Sequence, residues 1–139
     1  MSLIEFRTID LKSAQQLVGL AVAEAEAQGL GVCVTVVDRA GHPLAFARMD
    51  GAPLLCAQLS QDKAYTVAAF AGIPTHEWWD NVSARPDIVH GLGQQPRFSV
   101  IGGGVPLTVD GQLVGAVGVS GGSPEQDRGV AEAAAHTLS

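Results

Sequence analysis

An Asp-Gly pair between two alternating apolar segments constrains the fold of this chain more than any other feature. Asp110-Gly111 separates residues 105–109 from residues 112–119. Both central residues of a type I′ turn need positive φ, which Asp and Gly accept, so the pair predicts a tight β-hairpin. Strands joined by a two-residue turn run antiparallel. The sheet is therefore predicted to be antiparallel here.

A second pair of strand-like segments lies earlier in the chain. Residues 32–37 and 44–47 are β-branched or alternate apolar with polar, and residues 38–41 between them are typical of a turn. Residues 98–101, with the sequence Phe-Ser-Val-Ile, indicate one more strand. Together with the strands around Asp110-Gly111, these segments predict an antiparallel sheet of about five strands.

Three segments carry helix signals. Residues 10–28 place apolar side chains three and four positions apart, and residues 54–70 are Ala-rich without an internal Gly or Pro. The third helix is predicted to begin at Ser123, with Pro124 in its first turn and Gln126 closing a capping box. This order of helices and strands predicts an α+β fold, an α/β sandwich in which helices flank the sheet.

A long segment separates the second helix from the second group of strands. Thr75 is predicted to cap a short helical turn, and residues 81–96 carry the Pro, Gly, Asn and Gln residues of an irregular crossing. Loops of this length often bind ligands or form contacts between subunits.

Composition limits the classes of partner. A chain of 139 residues forms most simply one domain, here residues 1–139. Its charged fraction is 16%, below the typical value of about 25%, so part of the surface is predicted to contact another copy of the chain. The net charge of −6 and the absence of a Lys/Arg cluster exclude a nucleic-acid or anionic-membrane footprint. A homo-oligomer with a small-molecule ligand is the expectation.

The chain is expected to be cytoplasmic. Its first residues lack the basic region and apolar segment of a secretory signal. Its apolar stretches are broken by Gly, Pro or charge before they reach the ~20 residues that span a bilayer.

Lys63 is the residue most in need of an explanation. It is one of only two lysines, and it lies in a helix-like segment suited to burial. Because an unpaired buried ammonium is strongly disfavoured, Lys63 is expected to have a partner or a ligand. The nearest candidates in sequence are Arg48, Asp50 and Asp62.

Three successive glycines, residues 102–104, follow the segment at 98–101. Their N–H groups can form a nest that holds an anion or a carboxylate, and the alternative is a bend where the chain changes direction. Both interpretations stay open. No Lys-Ser or Lys-Thr follows, which excludes a P-loop.

The histidines and cysteines show no metal-site spacing, so no metal is predicted. The four histidines lack an H-x-x-x-H pattern, and Cys33 and Cys56 lack a C-x-x-C pattern. Both cysteines are expected to be reduced, buried thiols, because free Cys packs as a small apolar residue.

Several motifs in order resemble the GlcG/HbpS family, the small haem-degrading-type domain also found at the C-terminus of some cobalamin adenosyltransferases. The resemblance covers nearly the whole chain. The motifs lie at residues 38–42 (DRAGH), 48–52 (RMDGA), 62–66 (DKAYT), 102–106 (GGGVP), 110–111 (DG) and 115–122 (GAVGVSGG).

The resemblance implies a profilin-like α/β sandwich that assembles as a homo-oligomer, as dimers or octamers. Some relatives bind haem, and others are encoded in catabolic operons without an assigned chemistry. Their haem ligands differ, so the resemblance alone assigns none.

Two hypotheses follow. In the first, the chain binds haem or another tetrapyrrole in an apolar slot, with His42, Cys56 or His76 as the candidate axial ligand. In the second, it is an auxiliary protein, or an isomerase or hydrolase, of small carboxylated intermediates in a catabolic pathway. Lys63 and Arg48 would then hold the carboxylate.

The ligand-binding set predicted from these patterns comprises Arg48, Asp50, Lys63, Thr66, Gly103 and Gly104. A purely structural alternative stays open, in which Asp50 caps the second helix and Lys63 pairs with a carboxylate inside a subunit contact. No catalytic residue is assigned, and catalytic turnover is left open.

Overall fold

A computed structural model describes residues 1–138. Five helices and four strands follow one another in these residues: α1 (Leu11–Ala27), β1 (Cys33–Asp38), β2 (Pro43–Arg48), α2 (Leu55–Ala69), α3 (Trp78–Val82), α4 (Pro86–Gly93), β3 (Gly104–Val109), β4 (Gln112–Ser120) and α5 (Pro124–Ala135). Short 3₁₀ turns occupy Thr75–Glu77 and His136–Leu138.

The four strands form one antiparallel sheet in the order β2-β1-β4-β3. β1 and β4 lie in the centre, where Val34 pairs with Val119 and Val36 with Val117. The hairpin predicted at Asp110-Gly111 joins β3 to β4, and both residues have positive φ, at 52° and 73°. The predicted antiparallel hairpin is confirmed.

Helices cover both faces of the sheet. α1 and α5 pack on one face, and α2 packs alone on the other. The main core lies beneath α1 and α5, where the valines of β1 and β4 meet apolar residues such as Leu17, Ala21 and Val130. No helix in residues 1–138 is long and apolar enough to cross a membrane.

The predicted start of α5 is confirmed. Ser123 Oγ accepts a hydrogen bond from Gln126 N at 3.1 Å, and Gln126 Oε1 accepts one from Ser123 N at 2.9 Å. This reciprocal capping box satisfies two N–H groups that a helix N-terminus leaves without partners.

The prediction of a fifth strand at residues 98–101 is wrong. Ser99 N donates to the side-chain oxygen of Thr66 at 2.9 Å, and the Phe98 ring packs edge-on against Trp78 with centroids 5.1 Å apart. A short apolar segment has the composition of a strand whether a sheet or helices surround it. Part of the predicted irregular crossing, in turn, is the helix α4.

Close contact between α2 and the sheet depends on Gly118. A Cβ atom on this residue of β4 would lie 2.1 Å from Ser60 O and 2.6 Å from Ala64 N, both backbone atoms of α2. Because backbone atoms cannot move aside as a flexible side chain can, this position requires glycine.

We expect Gly118→Ala to lower the free energy of unfolding by at least about 2 kcal/mol, since α2 must move away from β4. The matched control is Gly19→Ala. Gly19 lies inside α1 with no atom within 4 Å of its virtual Cβ, so alanine should raise stability by up to about 1 kcal/mol. Urea unfolding followed by circular dichroism measures both variants, and equal stabilities would contradict the assigned contact.

Candidate functional site

The Lys63 ammonium has a buried partner. Lys63 is 1% exposed, and its Nζ atom donates to Val119 O of β4 at 2.8 Å and to Asp127 Oδ2 of α5 at 3.1 Å. Burial lowers the pKa of Lys63, and Asp127 opposes that effect. The partner is therefore distant in sequence and is none of the three candidates near Lys63 in the chain.

Asp127 has further partners at the end of β4. Its Oδ1 atom accepts a hydrogen bond from Gly122 N at 2.8 Å, and its Oδ2 atom accepts one from Gly121 N at 3.4 Å. A buried carboxylate with two N–H donors and an ammonium has most of its acceptor positions filled. The pair thus fastens α2, β4 and α5 to one another.

The three glycines at 102–104 form a bend that passes close to this pair. Gly103 has φ +133°, and a Cβ there would lie 2.4 Å from Val119 O and 2.9 Å from Lys63 Nζ. Gly104 N donates to Thr75 Oγ1 at 2.9 Å, and a Cβ on Gly104 would lie 2.6 Å from Lys63 O. The Gly104 N–H and the Cα atoms of Gly103 and Gly104 thus face the protein interior, so this part of the bend has a structural role in this conformation.

The other residues of the predicted set make separate contacts. Arg48 Nη1 donates to Ala52 O at 3.3 Å, and Asp50 is exposed in the turn before α2. Asp50 does not cap that helix, because Leu54 occupies the cap position and no side chain caps it. Thr66 Oγ1 accepts from Ser99 N and lies 2.8 Å from Asp62 O, so Thr66 holds the segment near residue 99 in place.

The three candidate haem ligands lie in three different environments. The His42 side chain is 77% exposed, with Nδ1 3.4 Å from Asp38 Oδ2. Cys56 is buried beside Cys33 and Ala52. His76, in the 3₁₀ turn before α3, is the one of the three that lines a large cleft.

That cleft has a volume of about 930 Å³ and lies between the 3₁₀ turn with α3 on one side and the first turn of α5 on the other. We call it the His76 cleft. A Cβ on Gly102 would lie 3.3 Å from both His76 Cβ and Pro124 O, so glycine lets the chain pass between the two walls. The lining residues are His76, Glu77, Trp79, Asp80, Asn81, Val100, Ile101, Gly102, Pro124, Glu125 and Arg128.

His76 is the chemically unusual member of the cleft. Its Nδ1 atom is buried and has no hydrogen-bond partner in the described part of the chain. Burial lowers the pKa of His76, and the Arg128 guanidinium lowers it further. Both effects favour the neutral imidazole, which is the form that binds metal ions.

The rim of the cleft is mostly acidic. Glu77, Asp80 and Glu125 are exposed there, whereas Arg128 supplies the cation and also donates from Nε to Glu132 at 2.7 Å. The apolar part of the lining comes from Trp79, Val100 and Ile101. The cleft combines a neutral imidazole, an apolar wall and a charged edge, as small-molecule sites commonly do.

A family model described as "Haem degrading protein HbpS-like" matches residues 9–136. The chain belongs to the HbpS-like family. The resemblance drawn from its motifs is thereby confirmed, and a curated relative agrees. Protein GlcG of Escherichia coli K12 is 39% identical over 108 residues, which cover 77% of each chain.

Solved structures share the fold of this HbpS-like chain. The protein ORFY of Klebsiella pneumoniae superposes with a TM-score of 0.91 at 33% identity, over 99% of this chain and 95% of that one. A complex of the protein PduOC with haem superposes with a TM-score of 0.83 at 32% identity, over 94% and 95% of the two chains.

The partner of Lys63 in this HbpS-like domain was missed from the sequence, although a signal for it exists. The buried residues of α5 are Asp127, Val130, Ala131 and Ala134, which are spaced as one helix face. An aspartate on an otherwise apolar face requires a buried partner, and the lysine in α2 has the same requirement. A charged residue on the apolar face of each helix, Lys63 in α2 and Asp127 in α5, is the signal that indicates the pair.

We expect Lys63→Met to lower the free energy of unfolding by about 3–5 kcal/mol, because Asp127 would keep a buried charge without its counter-ion. The chain's other lysine supplies the control: Lys12 is exposed in α1, so Lys12→Met should change stability by less than about 0.5 kcal/mol.

The double variant Lys63→Met/Asp127→Asn separates pairing from general damage. Its loss in free energy of unfolding should be smaller than the sum of the losses in the two single variants, because neither charge is then left without a partner. Urea unfolding of all four proteins completes the cycle. Additive losses would show that Lys63 and Asp127 do not act as a pair.

Proposed function

We propose that this chain binds a small molecule, haem or a closely related iron tetrapyrrole, in the His76 cleft, with His76 as the axial ligand. The observation that carries the proposal is the buried, unpartnered Nδ1 atom of His76 at the edge of a cleft of about 930 Å³. The haem complex of PduOC, a protein 32% identical to this chain, supports the choice of ligand.

The unpartnered imidazole fits an iron ligand. Leaving a polar atom without a partner in a protein interior costs about 1–3 kcal/mol, and such atoms in folded proteins usually have a specific cause. Because Nδ1 is buried, the His76 ring must turn to bring this atom into the cleft, where a bond from Nδ1 to the iron would offset this cost. Histidine is the common axial ligand of haem iron in proteins, and the neutral form is the one required.

The rest of the lining fits a flat, largely apolar ligand with a charged edge. Trp79 is 54% exposed, and with Ile101 and Val100 it offers apolar contact area to a macrocycle. Arg128 is placed to pair with a propionate, since guanidinium and carboxylate form strong hydrogen-bonded pairs. When bound, haem would supply a redox-active iron, and these residues would hold and orient it.

The carboxylate hypothesis has less support. A carboxylate held by Lys63 and Arg48 would have to displace Lys63 from Asp127 and Val119, because Lys63 is enclosed in this conformation. Breaking a buried pair leaves a charge alone in the interior, at a cost of several kcal/mol. Binding in the His76 cleft needs a turn of the His76 ring but breaks no buried ion pair.

Self-association forms part of the proposal. Large apolar side chains are exposed on several elements, and the surface carries few charges to balance them. A second copy of the chain would cover part of this surface, as a dimer or an octamer. The exposed set outside the N-terminal segment is Leu11, Leu20, Phe46, Leu54, Leu55, Phe70, Trp79 and Ile101.

Titration with hemin tests the proposal. The wild-type protein should show a saturable Soret shift at one haem per chain, and His76→Ala should remove the shift and weaken binding at least about tenfold, through loss of the axial bond. His42→Ala serves as the matched control, because His42 is exposed on the β1–β2 turn and outside the cleft. Cys56→Ala tests the remaining candidate.

Each outcome has a distinct meaning. Loss of the Soret shift in His42→Ala or Cys56→Ala, with His76→Ala unaffected, would assign the axial ligand to the other residue. It would reject the His76 cleft as the haem site. A weak, non-saturating change in every protein would reject tetrapyrrole binding and return attention to small carboxylates.

Haem binding should persist into mildly acidic solution. Because the folded pKa of His76 lies below the usual value of 6.5, the imidazole stays neutral at a pH where a free histidine is half protonated. Affinity should be constant from pH 8 to 6.5 and fall as the pH drops through the lowered value. Arg128→Gln removes one cause of the lowered His76 pKa, so the haem affinity of this variant should begin to fall at a higher pH than that of the wild type. A wild-type decline centred above pH 6.5 would contradict this.

A further inference from the structure

The side chains that connect α2 to β1 follow a regular register. Thr35 Oγ1 of β1 and Ser60 Oγ of α2 are 2.8 Å apart and both residues are buried. One step further along, Val37 and Ala64 pack in the same apolar cluster. The two elements therefore run side by side, with two strand residues matched to four helix residues.

The register is maintained because two strand residues and four helix residues cover nearly the same length. Two residues of a strand advance about 6.6–6.8 Å, and four residues of a helix advance about 6.0 Å. One step back from Thr35 and Ser60 are Cys33 and Cys56. These two residues occupy a small buried cluster with Ala52, so the register and the packing agree that the two thiols are neighbours.

The two thiols differ in accessibility. Cys33 is fully buried, and burial raises its pKa, as does the proximity of Cys56, while Arg48 acts in the opposite direction. Cys56 is 9% exposed and is the second residue of α2, a helix whose start has no side-chain cap. Cys56 is therefore the thiol that an oxidant reaches first.

We propose that Cys33 and Cys56 form an intramolecular disulfide when the chain meets a low-molecular-weight disulfide such as oxidised glutathione. The Cys56 thiolate attacks one sulfur of the oxidant, giving a mixed disulfide and releasing one glutathione thiol. The Cys33 thiolate then displaces the second glutathione from Cys56. Two protein thiols are oxidised and one disulfide is reduced, with both thiol protons passing to the two glutathiones or to solvent.

The bond would fasten the start of α2 to the start of β1. It would form under oxidising conditions and reverse when the thiol pool is reducing, because cytosolic glutathione keeps most thiols reduced. Closing the loop between the two cysteines restricts the unfolded chain, which raises the melting temperature by on the order of 10 °C.

Incubation of the purified chain with oxidised glutathione, followed by thiol counting in denaturant and peptide mass spectrometry, tests this proposal. The expected result is loss of both thiols without disulfides between chains, a peptide joined through Cys33 and Cys56, and a higher melting temperature that falls again after reduction. Cys33→Ser should stop at a stable glutathione adduct on Cys56, which identifies the first thiol to react.

Other results would overturn the proposal. A stable glutathione adduct on wild-type Cys56 would show that Cys33 is out of reach, and chains joined only to one another would show that the register does not bring the two sulfurs together. Two free thiols after prolonged oxidation would show that neither thiol reacts. None of these outcomes bears on haem binding at His76.

Discussion

The buried ion pair between Lys63 and Asp127 is the interaction on which the rest of this structure depends. Lys63 belongs to α2 on one face of the sheet and Asp127 to α5 on the other, and the Lys63 ammonium donates both to Asp127 and to Val119 O of the central strand β4. An ion pair taken out of water gains little net stability, because desolvation offsets the attraction. The pair instead favours one arrangement of the chain over others, because a fold that separates Lys63 from Asp127 would leave two unpaired charges in an apolar interior. We therefore regard the pair as the determinant of how the two helical layers are placed.

The pair also determines where the His76 cleft lies. Residue 103 passes against Lys63 Nζ, and residue 102 passes between His76 and Pro124. Asp127 fills the same first turn of α5 that brings Glu125 and Arg128 to the cleft. The ion pair thus fixes the wall of the cleft that α5 forms. The hydrogen bond from Gly104 N to Thr75 Oγ1 holds the other wall, which the 3₁₀ turn forms. A binding site on short turns gains rigidity from such buried supports.

Local signals in the sequence predicted the parts of the fold that depend on neighbouring residues. Asp110-Gly111 needs only its own backbone angles to make a hairpin, and Ser123 with Gln126 needs only one helical turn to make a capping box. Residues 98–101 were predicted wrongly because their environment, helices instead of a strand, is set by distant parts of the chain. The same limit applies to the site. Nothing near His76 in sequence distinguishes it from His42, since the walls of its cleft come from residues 76–81, 100–102 and 124–128.

The charges around the cleft determine which anions it can accept. Three carboxylates, Glu77, Asp80 and Glu125, face one guanidinium, so a small di- or tricarboxylate would meet more repulsion than attraction. A haem molecule carries two carboxylates as well, but it has other sources of affinity. In the proposed complex, its macrocycle would bury apolar area against Trp79 and Ile101, and its iron would gain a bond to His76. If one propionate paired with Arg128, the second would be left to the solvent, where water would screen it from the acidic rim. The acidic rim therefore selects against small carboxylates more strongly than against a ligand that binds through its apolar face and its metal.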